Sequence, residues 1–135
     1  MPKKPLFSYQ TRIRFHETDS AGRLFFAHQL KLAHDAYEAF LEASGLPLAV
    51  IVREKPYDLP IVHTESDYLA PLFAGDPIHI DLMVDRVGRS SFVLSYELYD
   101  RNQQNVGRAQ TVHVSVDSVT GKKIPLPDEV RRILE

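Results

Sequence analysis

At 135 residues, 44% hydrophobic and 25% charged, the chain is expected to form one domain over 1–135, with a core of useful size. A net charge of −2 provides no basic field for nucleic acid, and the absence of cysteine removes disulfides, thiol nucleophiles and cysteine-held metals. No apolar run approaches a membrane span or follows the basic start Met1–Pro5 as in a secretory signal, so no membrane association and a cytoplasmic setting are expected.

Tyr9, Thr11, Ile13 and Phe15 alternate with Gln10, Arg12 and Arg14, which predicts a strand over Tyr9–Phe15 with one buried face. Beyond the small-residue turn Ser20-Ala21-Gly22 the period changes. Phe26, Leu30, Ala33, Tyr37, Phe40, Leu41 and Ser44 recur at helical spacing opposite Lys31, Asp35, Glu38 and Glu42. Gly45 and Pro47 end that long helix. Leu48–Lys55 reads as a short helical or irregular connector closed by Pro56. Leu59–Ala70 is extended, with His63, Glu65 and Asp67 on one side and Val62, Thr64 and Tyr68 on the other. Turns at Pro71 and Gly75-Asp76-Pro77 precede an alternating run at Ile78, Ile80, Leu82 and Val84, and a second at Phe92, Leu94, Tyr96 and Leu98. After a turn at Asp100–Gln103, Val106–Val116 forms the last long strand, with Val112, Val114 and Val116 on one face. Thr120-Gly121 predicts a hairpin turn into a short Lys123–Leu126 strand, and Asp128 opens a final helical turn or two. A strand, a long helix and then four or five strands joined by short turns make an α+β arrangement, the helix covering one face of an antiparallel sheet. The other face and the edges need cover, which predicts a homodimer at least.

Asp19 stands in the turn before the long helix. A helix start offers unpaired N–H groups and the positive end of the dipole, so a carboxylate beside it has the parts to attack a carbonyl while the carbonyl oxygen is stabilised. An aspartate there is more often a cap or turn former, so the surrounding residues decide. Glu17 points to solvent or supports the turn through a hydrogen bond. Phe25 and Phe26 read as core aromatics, and His16, His79 and His113 as strand-surface residues. No Gly-x-Ser-x-Gly stretch competes for a nucleophile role.

The run Glu17-Thr18-Asp19-Ser20-Ala21-Gly22, followed by Phe25-Phe26, resembles the D-x-D-x-x-G motif of the hotdog-fold acyl-CoA thioesterases of the 4-hydroxybenzoyl-CoA thioesterase type. Tyr68-x-Ala70-Pro71 before Gly75-Asp76, and Arg89-Ser90-Ser91-Phe92 opening the next strand, carry the resemblance onward, roughly from Ser8 to Leu126. Within the family, Leu59-Pro60-Ile61-Val62-His63, Arg108-Ala109-Gln110-Thr111-Val112-His113-Val114 and Lys122-Lys123-Ile124-Pro125-Leu126-Pro127 are most similar to the 1,4-dihydroxy-2-naphthoyl-CoA branch, which serves phylloquinone and menaquinone biosynthesis. The resemblance implies a long central helix wrapped by a curved antiparallel sheet, with the active site at a dimer interface and dimers paired into homotetramers. It implies Asp19 as nucleophile or general base, the Phe26 backbone N–H as oxyanion donor after the Gly22 turn, and Arg89, Ser90 and Ser91 as contacts to the CoA phosphates. Phe25 would line the acyl site, and His63 would orient the substrate's ring hydroxyls. No metal or other cofactor is implied, coenzyme A being part of the substrate. Departures are Glu17 where the family has Asp, Phe26 where the Tol-Pal-associated branch has His, and the lack of the long-chain Gly-His-Val-Asn-Asn motif. Alternatives are a broad-specificity short- or medium-chain acyl-CoA or acyl-carrier-protein thioesterase, and a non-catalytic module that binds CoA esters.

Overall fold

The computed structural model describes residues 4–135. Five strands, β1 (Phe7–Arg12), β3 (Ile61–Tyr68), β4 (Pro77–Val87), β5 (Ser91–Tyr99) and β6 (Asn105–Val114), form one antiparallel sheet in the order β1-β4-β5-β6-β3. The helix α1 (Phe26–Ala43) lies against one face of it, in the hotdog arrangement. A shorter helix, α2 (Leu48–Glu54), leads into β2 (Tyr57–Asp58), which pairs with β7 (Val116–Asp117); α3 (Asp128–Ile133) closes the chain.

Alternation makes the sheet's inner face. Ile78, Ile80 and Leu82 of β4 and Phe92, Leu94, Tyr96 and Leu98 of β5 are buried against Leu32, Ala33, Ala36, Tyr37, Phe40 and Leu41 of α1. The helix ends where its sequence says it should. Gly45, at φ +80°, lets the Gly45 N–H reach the Glu42 carbonyl (3.1 Å) and the Leu46 N–H reach the Leu41 carbonyl (2.9 Å), a Schellman closure.

Four expectations need correction. The first strand stops at Arg12, opposite Pro77; beyond it the Ile13 N–H reaches the Asp76 carbonyl (2.9 Å) and the Ile13 carbonyl accepts the Gly75 N–H (2.8 Å), where Gly75 at φ +89° turns the partner chain away. The chain then turns through a 3₁₀ segment (Phe15–Glu17), leaving Phe15 83% exposed instead of inward. The buried stripe of α1 is also rotated: Gln29, Leu32 and Ala36 are inside, whereas Phe26 is exposed and Leu30 half-buried. On β6 the core face is Ala109, Thr111 and His113, while Val112 and Val114 lie on the outer face, half-buried. His113 is therefore no surface residue; its ring stacks on Phe92 (4.6 Å, 6°) and its Nε2 lies 2.8 Å from Thr111 Oγ1. Finally, Lys123–Leu126 forms only an isolated bridge, Lys123 to Val116, and Pro125 has no N–H with which to extend it.

Candidate active site

The segment between β1 and α1 is held from below by Glu17, which is 1% exposed. Its Oε1 accepts the Arg14 N–H (2.6 Å), its Oε2 meets Lys31 Nζ of α1 (2.9 Å), and its carbonyl accepts the Phe25 N–H (2.9 Å). Burial alone would raise the Glu17 pKa, but the Arg14 N–H and the Lys31 ammonium outweigh it and hold the carboxyl below its ordinary range. The supporting hydrogen bond is thus the role this glutamate takes, not exposure to solvent.

Above this anchor the chain folds on itself. The Asp19 N–H donates to the Arg23 carbonyl (2.7 Å) and the Gly22 N–H to the Asp19 carbonyl (3.0 Å), with Gly22 at φ +78°, where a side chain would be strained. Asp19 Oδ1 accepts the N–H groups of Ala21 (2.9 Å) and Arg23 (3.2 Å). One carboxylate oxygen is therefore fixed by the turn, while Oδ2 has no partner among the described residues. The carboxylate is oriented, exposed and ready to act on something else.

Next comes the start of α1. Phe25 supplies no side-chain cap, and the Phe26 N–H makes no hydrogen bond among the described residues. The Phe26 carbonyl is pinned by the Tyr68 hydroxyl (2.6 Å) from the end of β3. Asp19, Phe26, Tyr68 and the segment Leu69–Leu72 line one cleft of about 470 Å³, with Arg23, Leu24, Phe25 and Gln29 completing its wall. The Phe25 and Phe26 rings lie 4.6 Å apart and are 39% and 63% exposed, so they form an aromatic rim and not core. A free carboxylate, a free helix-start amide and a largely apolar wall in one cleft can bind a flat acyl group and stabilise an oxyanion at its carbonyl.

Two relatives match along nearly the whole chain. The 1,4-dihydroxy-2-naphthoyl-CoA hydrolase of Synechococcus elongatus is 38% identical over 130 residues, covering 96% of this chain and 95% of that one. Its counterpart in Nostoc punctiforme is also 38% identical, over 96% and 86% of the two chains. The crystal structure of a 1,4-dihydroxy-2-naphthoyl-CoA thioesterase from Synechocystis has a TM-score of 0.90 at 32% identity, covering 95% of this chain and 94% of that one. The Thioesterase-like superfamily pattern matches residues 13–134. The chain belongs to the thioesterase-like superfamily.

In this thioesterase-like chain the structure brings Asp19, Gly22, Phe25 and Phe26 together and leaves the other expected site residues elsewhere. Arg89, Ser90 and Ser91 lie where β5 begins, opposite the end of β6, whereas the cleft adjoins the other end of the sheet, where Tyr68 pairs with Gly107. The Arg89 carbonyl accepts the Leu126 N–H (2.8 Å) and the Arg131 guanidinium (3.3 Å), which fixes that loop. His63 pairs with Val112 on β3, 57% exposed, with its Nε2 on Glu65 Oε1 (3.0 Å). Gln29 and the tie from Tyr68 escaped the sequence reading. Gln29 was legible as a polar residue in step with Leu32, Ala33 and Ala36; no sequence signal points to the Tyr68 hydroxyl bond, because it joins residues 42 apart.

Proposed function

We propose that this chain hydrolyses 1,4-dihydroxy-2-naphthoyl-CoA to the free acid and coenzyme A. The observation that carries the reading is the pairing, in one cleft, of a carboxylate with one free oxygen and an unpaired amide at the start of α1. The acyl ring would lie along the Phe25–Phe26 rim, with its carbonyl oxygen on the Phe26 N–H. Asp19 would then act in one of two ways. As nucleophile, its oxygen adds to the carbonyl carbon, the C–S bond breaks to release CoA thiolate, and water cleaves the resulting anhydride. As base, it takes a proton from a water that adds to the same carbon, and the thiolate leaves from the tetrahedral intermediate. Either way the negative charge gathers on the carbonyl oxygen, which is where the helix-start amide counts. The relatives named above, at 38% identity over nearly the full length, support the choice of acyl group.

The working unit in this proposal is a homodimer at least, with homotetramers built from it. β3 has a partner, β6, on one side only, and Val62, Tyr68, Leu69, Phe25 and Phe26 are exposed along or beside that edge. Antiparallel pairing of two β3 strands about a two-fold axis sets the Ile61 end of one against the Tyr68 end of the other. That arrangement would carry the second copy's His63 and its Arg89–Ser91 loop toward a cleft that a single chain keeps at the far end of the sheet, with Arg89 suited to a CoA phosphate.

The test is thiol release from a panel of acyl-CoAs. The proposal expects fastest turnover of 1,4-dihydroxy-2-naphthoyl-CoA. Faster turnover of straight-chain esters points to a broad-specificity thioesterase, and binding without turnover of any ester points to a non-catalytic module.

A further inference from the structure

One polar side chain lies inside the buried stripe of α1. Gln29 is 1% exposed, stands one turn beyond Phe26 and forms part of the cleft wall. The two N–H groups of its Nε2 are shared among Ser66 Oγ (2.9 Å) and the Asp67 carbonyl (2.8 Å) of β3 and the Arg108 carbonyl (3.2 Å) of β6. Two of these acceptors are backbone carbonyls, so the surroundings dictate which end of the amide faces them. Gly107 makes the room: a Cβ there would stand 2.4 Å from Gln29 Oε1 and 2.9 Å from its Cδ. A leucine could fill this space with no amide to desolvate, so what the glutamine adds is direction and not apolar burial.

That direction bears on one turn of helix. The Tyr68 hydroxyl holds the Phe26 carbonyl, and Gln29 holds the same turn to both β3 and β6. Tyr68 is 49% exposed and offers a single O–H; Gln29 is buried and offers two N–H donors shared among three acceptors. We propose that Gln29, seated against Gly107, is the positioning residue that fixes the first turn of α1 against the sheet and thereby aims the Phe26 amide at the thioester carbonyl. The proposal rests on the thioesterase reading of the cleft and adds to it the residue that sets the geometry. A donor that acts on developing charge affects the transition state more than the bound substrate, so its misplacement lowers kcat and spares KM.

The experiment measures kcat and KM separately for thiol release from 1,4-dihydroxy-2-naphthoyl-CoA, with thermal melting, for Gln29→Met, Gly107→Ala and the double variant. Methionine keeps the volume and loses the donors. Gly107→Ala keeps the glutamine but forces its carboxamide aside; the obstacle is the end of a flexible side chain, so the fold survives. Each single variant is expected to lose about 10- to 100-fold in kcat, with KM within about threefold. The double variant should lose no more than the larger single loss, because both changes break the same contact. Unchanged kcat in folded Gln29→Met, or losses that multiply in the double variant, would overturn the proposal. Should Gln29→Met fail to fold, Gly107→Ala decides in the same way. Asp19→Asn, assayed alongside, separates the two layers: full activity there sinks the reading of the cleft and the positioning role with it, whereas a dead Asp19→Asn beside a fully active Gln29→Met sinks the positioning role alone.

Discussion

Phe26 offers a way to delete one backbone donor and leave the helix standing. It occupies the first helical position, where the N–H has no intrahelical acceptor and proline is well tolerated. Phe25 before it has φ −69° and ψ 134°, the extended conformation required of a residue that precedes proline. The bond from the His28 N–H to the Phe25 carbonyl (2.9 Å) survives the change. Phe26→Pro therefore removes the proposed oxyanion donor and the ring together, and Phe26→Ala removes the ring alone. The ring is 63% exposed, so its loss costs little stability. Loss of an oxyanion donor costs about 3–4 kcal/mol, which is about 10²–10³ in kcat. In a thiol-release assay Phe26→Pro should fall below Phe26→Ala by that factor, with melting temperatures within a few degrees. Equal kcat in the two folded variants would refute the assignment of the amide.

Three further outcomes follow from the same structure. Burial, and then the charge of His34, push the His113 pKa from 6.5 down to about 4. The unfolded chain therefore takes up this proton first as pH falls, and stability is lost from pH 6.5 down to about 4, by about 3 kcal/mol in all. Urea unfolding of the native protein and His113→Gln should show their stability gap closing across that window; a gap independent of pH would contradict it. Glu17→Gln keeps the shape but gives up the Lys31 ion pair, and should cost about 1–3 kcal/mol at pH 7 and lower kcat by loosening the Asp19 turn. Because the Glu17 pKa is held below 4.5, this difference should persist above pH 4.5 and fade as pH falls through the lowered value, which denaturation at stepped pH would reveal. Val62→Lys places a charge beside the unpaired edge of β3 and should shift sedimentation from dimer or larger to monomer, with loss of activity; a fully active monomer would rule out a shared site.

The α+β order, the strand alternation of β4 and β5 and the glycine end of α1 were legible because period and turn chemistry are local properties. The resemblance carried by the turn motif pointed to Asp19, Gly22 and Phe26, and the structure places all three in or beside the turn that opens α1. Legibility failed where a distant partner decides. β1 stops early because the Gly75 turn, far along the chain, carries its partner strand away. His113 is inward because β6 turns its polar residues toward Tyr37 and Phe92, against the expectation that valines mark the core face. The place of Gln29 in the apolar stripe was legible, but its partners were hidden for the same reason. Its acceptors on Ser66, Asp67 and Arg108 are 37 to 79 residues away, and the glycine that admits it, Gly107, is on another strand.

The claim underneath the mechanism is that the free oxygen of Asp19 does the chemistry. Its most direct test pairs hydrolysis with binding of 1,4-dihydroxy-2-naphthoyl-CoA in Asp19→Asn, whose amide oxygen can keep the turn bonds to Ala21 and Arg23. The account predicts a loss of about 10³-fold or more in kcat, with Kd for the CoA ester within about threefold of the native protein. Hydrolysis at the native rate, or loss of binding in place of loss of rate, would contradict it.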